Sequence, residues 1–265
     1  MERKKHKIFR IVTPNTFIKG KEYLSKKCLD ELIEDCFAEE KLDGALVTIE
    51  TDEYVFYGED LRKTHTIRYE NLPNDVVFFD VYNKTEKRYL DEPEKILLLL
   101  EIGATPAPII GRIKKYDISK PKKRDRMYVE KYLEKIAFKT KSAFKTCLNT
   151  KMVEYMKDNL PDLYEEANKL PKNFVEGIVL KNYGKQLFGK VVIPAFERMI
   201  QELGRYENYP EANIIKMYSY KGYTKYINKH VLKPLGIKIA RKEKKLVYER
   251  YASKFRTWSN LAYIS

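Results

Sequence analysis

From Ala45 to about Arg88 the chain is written in short alternating runs, "ALVTIE", "YVFYG", "HTIRY" and "DVVFFDVYN". Turn residues such as "TDE" and "NLPND" separate them. Period-two alternation over stretches this short does not suit an amphipathic helix and predicts a mostly antiparallel sheet. Helical patterns flank it. "KEYLSKKCLDELIEDCF" (21–37) carries apolar residues at helical spacing, and "EPEKILLLLEIG" opens on acids and ends on Gly103, as a helix does. Two more helices are expected within 127–159, then a strand pair, "FVEGIVLKN" and "QLFGKVVI" (174–193), and helix again beyond Pro194. The layout is an α+β body over residues 1–193 followed by a small basic helical domain, 194–265.

Charge narrows the partners. The formal net charge is +14 over 265 residues, a surface suited to an acidic polymer, phosphates or an anionic membrane. The basic residues cluster. "RIKKYDISKPKKRDR" (112–126) has eight against two acids, and 193–265 holds 15 Lys and Arg against 6 Asp and Glu, interleaved with nine tyrosines. Lysines alternating with aromatic rings suit phosphate contact combined with base stacking, which is the favoured reading; packing of the tyrosines among the helices is the alternative. No apolar run approaches the roughly 20 residues a bilayer requires, so no membrane partner is expected. "MERKKHKIFR" lacks the apolar core of a secretory signal. Cys28, Cys36 and Cys147 show no metal-ligand spacing, and with only three histidines a reducing cytoplasm and free thiols are expected.

One lysine stands apart. In "EEKLDGALVTIE" (39–50), Lys41 follows Glu40 and precedes Asp43-Gly44 at the mouth of a strand. A desolvated lysine amine is a nucleophile. Gly58-Glu59, Phe79-Asp80, Glu176-Gly177 and Lys190 each fall in or at the end of an expected strand, so all can address one groove between sheets.

Taken together these segments resemble the covalent nucleotidyltransferases, and specifically the ATP-dependent RNA ligase family. "EKLDG" looks like the nucleophile motif and "YGEDLRKTHTIRYENLP" like the third motif. "FFDVYN" looks like the aromatic motif after it, "VEGIVLK" is similar to the fourth, and "FGKVV" to the fifth. The resemblance runs over about residues 35–195. It implies a nucleotidyltransferase (ATP-grasp-like) α+β fold of antiparallel sheets with flanking helices. It also implies ATP as AMP donor, Mg²⁺ or Mn²⁺ as cofactor, and RNA as substrate, a nicked duplex being among the forms left open.

Residue by residue, the resemblance implies Lys41 as nucleophile, Lys190 on the α-phosphate and Glu176 as metal ligand. It further implies Glu59 on the ribose, Phe79 stacked on adenine, and Asp80, Glu40 and Lys181 around the nucleoside. Asp43 and Gly44 shape the turn. Attack requires a neutral Lys41, so burial and the neighbouring cations Lys190 and Lys181 are expected to lower its pKa. The interval from Lys41 to Glu59 is short, Val192 stands where a second basic residue is usual, and Arg62 and Arg68 are candidates for the 5′-phosphate by position alone. The RNA is expected to meet the tail and the 112–126 stretch. A DNA or nick ligase, a GTP-dependent capping-type enzyme and an inactive nucleic-acid-binding module remain the alternatives.

Overall fold

Two antiparallel-rich sheets face each other across a layer of aromatic rings. The computed structural model describes residues 8–11, 22–114, 126–204 and 206–261. The main sheet is built from β1 (Phe9–Arg10), β2 (Asp35–Lys41), β8 (Ile109–Lys114), β10 (Gly177–Asn182) and β11 (Leu187–Val192), in the order β1-β11-β10-β2-β8. The second sheet comprises β3 (Ala45–Glu50), β4 (Tyr54–Asp60), β6 (Val76–Asn83) and β7 (Arg88–Tyr89), paired in that order. A small ribbon joins β5 (Ile67–Tyr69) to β9 (Thr146–Leu148). The alternating runs of 45–88 are therefore strands, in an α+β architecture.

The main sheet has one apolar and one charged face. Cys36, Ala38, Ile178, Leu180 and Val191 are completely buried in the principal core. The alternate residues Phe37, Glu39, Lys41, Lys181, Phe188 and Lys190 lie on the other face, as strand pleating requires. That face meets the second sheet through Tyr57, Tyr89, Tyr183 and Phe188, with Phe37, Phe79 and Tyr82 packed alongside.

Helices cover the outer surfaces: α1 (Lys26–Leu32), α2 (Glu92–Glu101), α3 (Arg126–Lys139), α4 (Thr150–Asn159), α5 (Pro161–Asn168) and α6 (Pro194–Leu203). A reciprocal cap between Asp91 and Glu94 starts α2. The helix expected over 21–37 is shorter than its pattern. Only Lys26–Leu32 is helical, and Asp35–Lys41 pairs with strands on both sides. Glu39 and Glu40 disfavour a strand locally, but two flanking ladders override that weak preference. Strand β8 was hidden by the basic residues that follow it. Apart from its two ends, the 112–126 stretch lies outside the described residues. No helix among the described residues is long and apolar enough to cross a membrane.

After α6 come α7 (Tyr220–Ile227), a wide helical turn (Asn228–Leu232), a tight one (Lys233–Leu235), α8 (Arg241–Ser253) and α9 (Trp258–Leu261). Tyr223, Tyr226, Val231, Leu232 and Tyr251 share the core of β2 and β10, so packing runs across the 193/194 boundary. The tyrosines do much of this. The rings of Tyr223 and Tyr251 stack at 3.7 Å. Tyr226 Oη donates to Pro106 O (2.6 Å), Tyr218 Oη to Asn71 O (2.6 Å) and Tyr251 Oη to Pro73 O (2.6 Å). Among the described tail tyrosines only Tyr220 is exposed, so packing is what most of these rings do.

Tyr251 Oη also accepts from Tyr218 N (2.9 Å). Tyr251→Phe leaves a buried carbonyl and an amide without partners, and about 2 kcal/mol of stability is expected to be lost. A thermal melt beside wild type measures this; an unchanged melting temperature contradicts the role given to Tyr251.

Candidate active site

Strand register assembles the charged groups. Lys41, the last residue of β2, sits opposite Gly177 of β10; Glu39 sits opposite Val179, and Val179 opposite Lys190 of β11. The parallel strand β1 sets Arg10 beside Lys190. Gly177 is required by a close approach: a Cβ there would lie 2.0 Å from the Val191 carbonyl oxygen. The preceding residue, Glu176, is thereby held at the end of Lys41, and its carboxylate pairs with Lys41 Nζ.

The turn Leu42-Asp43-Gly44 carries the chain from the main sheet to the second. Asp43 Oδ2 accepts from the amides of Thr66 and Ile67, both at 2.8 Å, and Asp43 N donates to Tyr69 Oη at 3.0 Å. Gly44 N donates to Glu59 Oε1 at 3.0 Å, and a Cβ at Gly44 would lie 2.4 Å from Asp60 O. Asp43 and Gly44 thus hold β3 and β4 against Lys41 and bring Glu59 to it.

Three carboxylates surround one ammonium. Burial pushes the Lys41 pKa down, but Glu176, Glu59 and Asp43 outweigh it, so the net shift is upward. This corrects the expectation of a depressed Lys41 in the protein as it stands. The depressed lysine is Lys190, lowered to about 8 by burial and by repulsion from Lys41 and Arg10. Burial also raises Glu59 to about 7, against the pull of Lys41. Burial raises Glu176 as well, despite its Lys41 partner.

A second buried cluster adjoins the first through Glu39. Lys181 Nζ reaches Glu39 Oε2 (2.7 Å) and Asp80 Oδ1 (3.1 Å), and its ammonium lies 5.3 Å from the centroid of the Phe79 ring. Lys181 is 1% exposed, which excludes a solvated role. Lys95 pairs with the other oxygen of Glu39 and with Glu92 (2.7 Å). Both ammoniums donate to the Phe79 carbonyl oxygen, at 2.8 and 2.6 Å. Phe79 is half-buried in the aromatic layer, whereas neighbouring Phe78 is fully buried in a separate core cluster.

The sequence reading missed several of these groups. Lys95 occupies a core position of α2, in the buried stripe Glu92, Lys95, Ile96, Leu99 and Leu100. A charged residue in an apolar helical stripe was the available signal. His65 lies 3.9 Å from Asp43 and stacks on Tyr206 at 3.5 Å; burial lowers its pKa. Nothing in its local sequence marks it. Arg62 is paired with Asp60, and Arg68 with Glu211. Glu40 does not join the Lys41 group. It lies on the opposite face of β2, accepting from Ser142 Oγ and from Ala143 N. Among the described residues, no three His, Cys, Asp or Glu side chains converge as a metal cage.

An ammonium ringed by carboxylates, beside a second buried lysine and an aromatic layer, defines a site for nucleophilic or phosphate chemistry. The sequence model of the RNA ligase family matches residues 41–192, from Lys41 to the last residue of β11. The chain belongs to that family, and so is a ligase whose substrate is RNA. A search of curated proteins finds no match to the chain.

Burial raises Glu40 to about 7, only partly offset by its hydrogen bonds from Ser142 and Ala143. A carboxyl whose folded pKa exceeds its unfolded one favours folding most below the unfolded value, here 4.5, and that advantage is lost as the pH rises through about 7. Glu40→Gln does not titrate. Relative to wild type it is expected to gain on the order of 3 kcal/mol between pH 4 and pH 8. Melts at both pH values measure the gain, and a difference independent of pH refutes it.

Proposed function

We propose that the chain is an ATP-dependent RNA ligase of nucleotidyltransferase fold whose nucleophile is Lys41. The observation that carries this reading is the set Lys41, Glu176, Glu59 and Asp43 converging between the sheets, with Lys190 on the same face. Neutral Lys41 Nζ attacks the α-phosphorus of ATP. The N–P bond forms, the P–O bond to pyrophosphate breaks, and the amine proton is lost. A 5′-phosphate oxygen of RNA then displaces Lys41, giving an RNA end capped by AMP. Finally a 3′-hydroxyl attacks that 5′-phosphate, loses its proton and expels AMP.

The side chains suit these roles. Lys190 supplies positive charge to the α-phosphate and to the departing pyrophosphate. Phe79, held by its carbonyl, offers a face for adenine, and Glu59 is in reach of a ribose hydroxyl once it releases Gly44 N. Asp80 and Glu39 hold Lys181 ready beside the nucleoside.

The donor set fits Mg²⁺ or Mn²⁺. Carboxylate oxygens are hard ligands, and Mg²⁺ commonly takes only one or two from protein, the rest from phosphates and water. Glu176 is the residue that would hold it, and the ion would supply charge to offset the carboxylates that keep Lys41 protonated. In this reading 1–193 performs adenylyl transfer, and the exposed lysines of 194–265 contact the RNA backbone while its tyrosines maintain the fold.

The test is incubation with Mg²⁺ and α-labelled ATP or GTP. Wild type is expected to retain label from ATP after denaturation, and Lys41→Ala none. Lys190→Ala is expected to label about 10²-fold more slowly, the scale of losing one transition-state charge contact. Label from GTP alone would move the reading to capping chemistry, and a folded protein that takes no label would refute it.

A further inference from the structure

On the far side of β2 from Lys41 lies a cleft of about 690 Å³, within the size range of small-molecule sites. It is bounded by β8, the C-terminal end of α3 and the turns at 228–235. Three features of its lining restrict what it can hold. The rim carries four exposed lysines, Lys135, Lys139, Lys141 and Lys229. None of them makes an ion pair among the described residues. Lys139 is accounted for locally, because it lies in the last turn of α3 and complements the carbonyl end of the helix. Lys229 likewise falls in the last turn of the wide helical turn, which leaves Lys135 and Lys141 without such a local role.

The walls are apolar, formed by Tyr132, Ile109, Ile110, Ile136 and Pro234. The third feature is polar and buried: the Glu40 carboxyl, 4% exposed, fixed by Ser142 and Ala143. Beside it His230 is lowered to about 4 by burial and by Lys229 and Lys225, so at neutral pH it offers a hydrogen bond and no charge. A simple inorganic anion would leave the apolar walls unused and meet Glu40 unfavourably. A fatty chain would set hydrocarbon against the polar Glu40 carboxyl. A molecule with phosphate at one end, a flat apolar body and a hydrogen-bond donor at the other satisfies all three.

We propose that this cleft binds a second nucleotide, free or as the 5′-phosphorylated end of an RNA strand, separately from the Lys41 site. The phosphate meets Lys135, Lys141 and Lys229, the base lies against Tyr132 and the isoleucines, and an amine or hydroxyl donates to Glu40.

Equilibrium dialysis with labelled AMP, and separately with a labelled 5′-phosphorylated RNA tetranucleotide, tests this at low salt. For at least one probe, wild type is expected to show two classes of site. In Lys135→Glu/Lys141→Glu one class weakens at least about tenfold, equivalent to about 1.4 kcal/mol, and Lys135→Arg/Lys141→Arg retains it. Both lysines are exposed and make no ion pair among the described residues, so the melting temperature should not move. Two classes with AMP identify a mononucleotide site; two classes with the tetranucleotide alone identify a strand end. Binding of both probes that is unaffected by charge reversal overturns the proposal; a single class that charge reversal weakens supports the cleft and counts against nucleotide binding at Lys41. Covalent labelling from ATP is a separate readout, so failure of the lysyl-AMP reading leaves the dialysis result intact.

Discussion

A single choice of register on β2 determines what both sides of the main sheet contain. Cys36, Ala38 and Glu40 point one way; Phe37, Glu39 and Lys41 point the other. Because strand side chains alternate strictly, a slip of one residue would drive Lys41 and Glu39 into the principal core and expel Ala38 and Cys36 from it. Cys36 and Ala38 are completely buried, and the ladders to β8 and β10 grip β2 on both edges. The apolar core thus fixes the position of the lysine proposed as nucleophile.

Charge buried at this depth is tolerated only where it is paired. Glu39, Lys95 and Lys181 are each 1% exposed, and every ammonium among them contacts at least one carboxylate and a carbonyl. Desolvating two ions costs several kcal/mol each, so such clusters are weak sources of stability. What they provide is position. Lys95 comes from α2, Glu39 from β2, Lys181 from β10 and the Phe79 carbonyl from β6, so four elements are tied at one point. The Lys41 group is different. There one ammonium, Lys41, faces three carboxylates, Glu176, Glu59 and Asp43.

Much of this could be read in the sequence, for identifiable reasons. The strands of 45–88 and 174–193 were legible because their outward and inward faces differ in chemistry. That Lys41, Glu59, Glu176 and Lys190 can address one groove was legible because each falls in or at the end of an expected strand, and they do lie near one another. The start of β2, residues 35–37, was misread because the apolar residues of 21–37 recur at helical spacing, and only the ladders to β8 and β10 override that pattern. Lys95 passed unnoticed because helical periodicity was judged by its leucines, and His65 because only the turn at Asp43 brings it to the site. The upward shift of Lys41 depends on a three-dimensional count of neighbouring charges, which no linear spacing reports. Nor does tyrosine content reveal whether a ring is buried: Tyr223, Tyr226 and Tyr251 look like surface stackers in sequence and are core in the fold.

Two ammonium groups converging on the Phe79 carbonyl oxygen have one more effect. They fix the tilt of the peptide plane between Phe79 and Asp80 from outside the strand ladder. The direction in which residue 79 leaves the backbone is therefore set by lysines on a helix and on another sheet, independently of the ring it carries. Any flat side chain placed there would inherit the same angle toward the groove, which makes the orientation of the ring a property of the scaffold and its type a separately adjustable one.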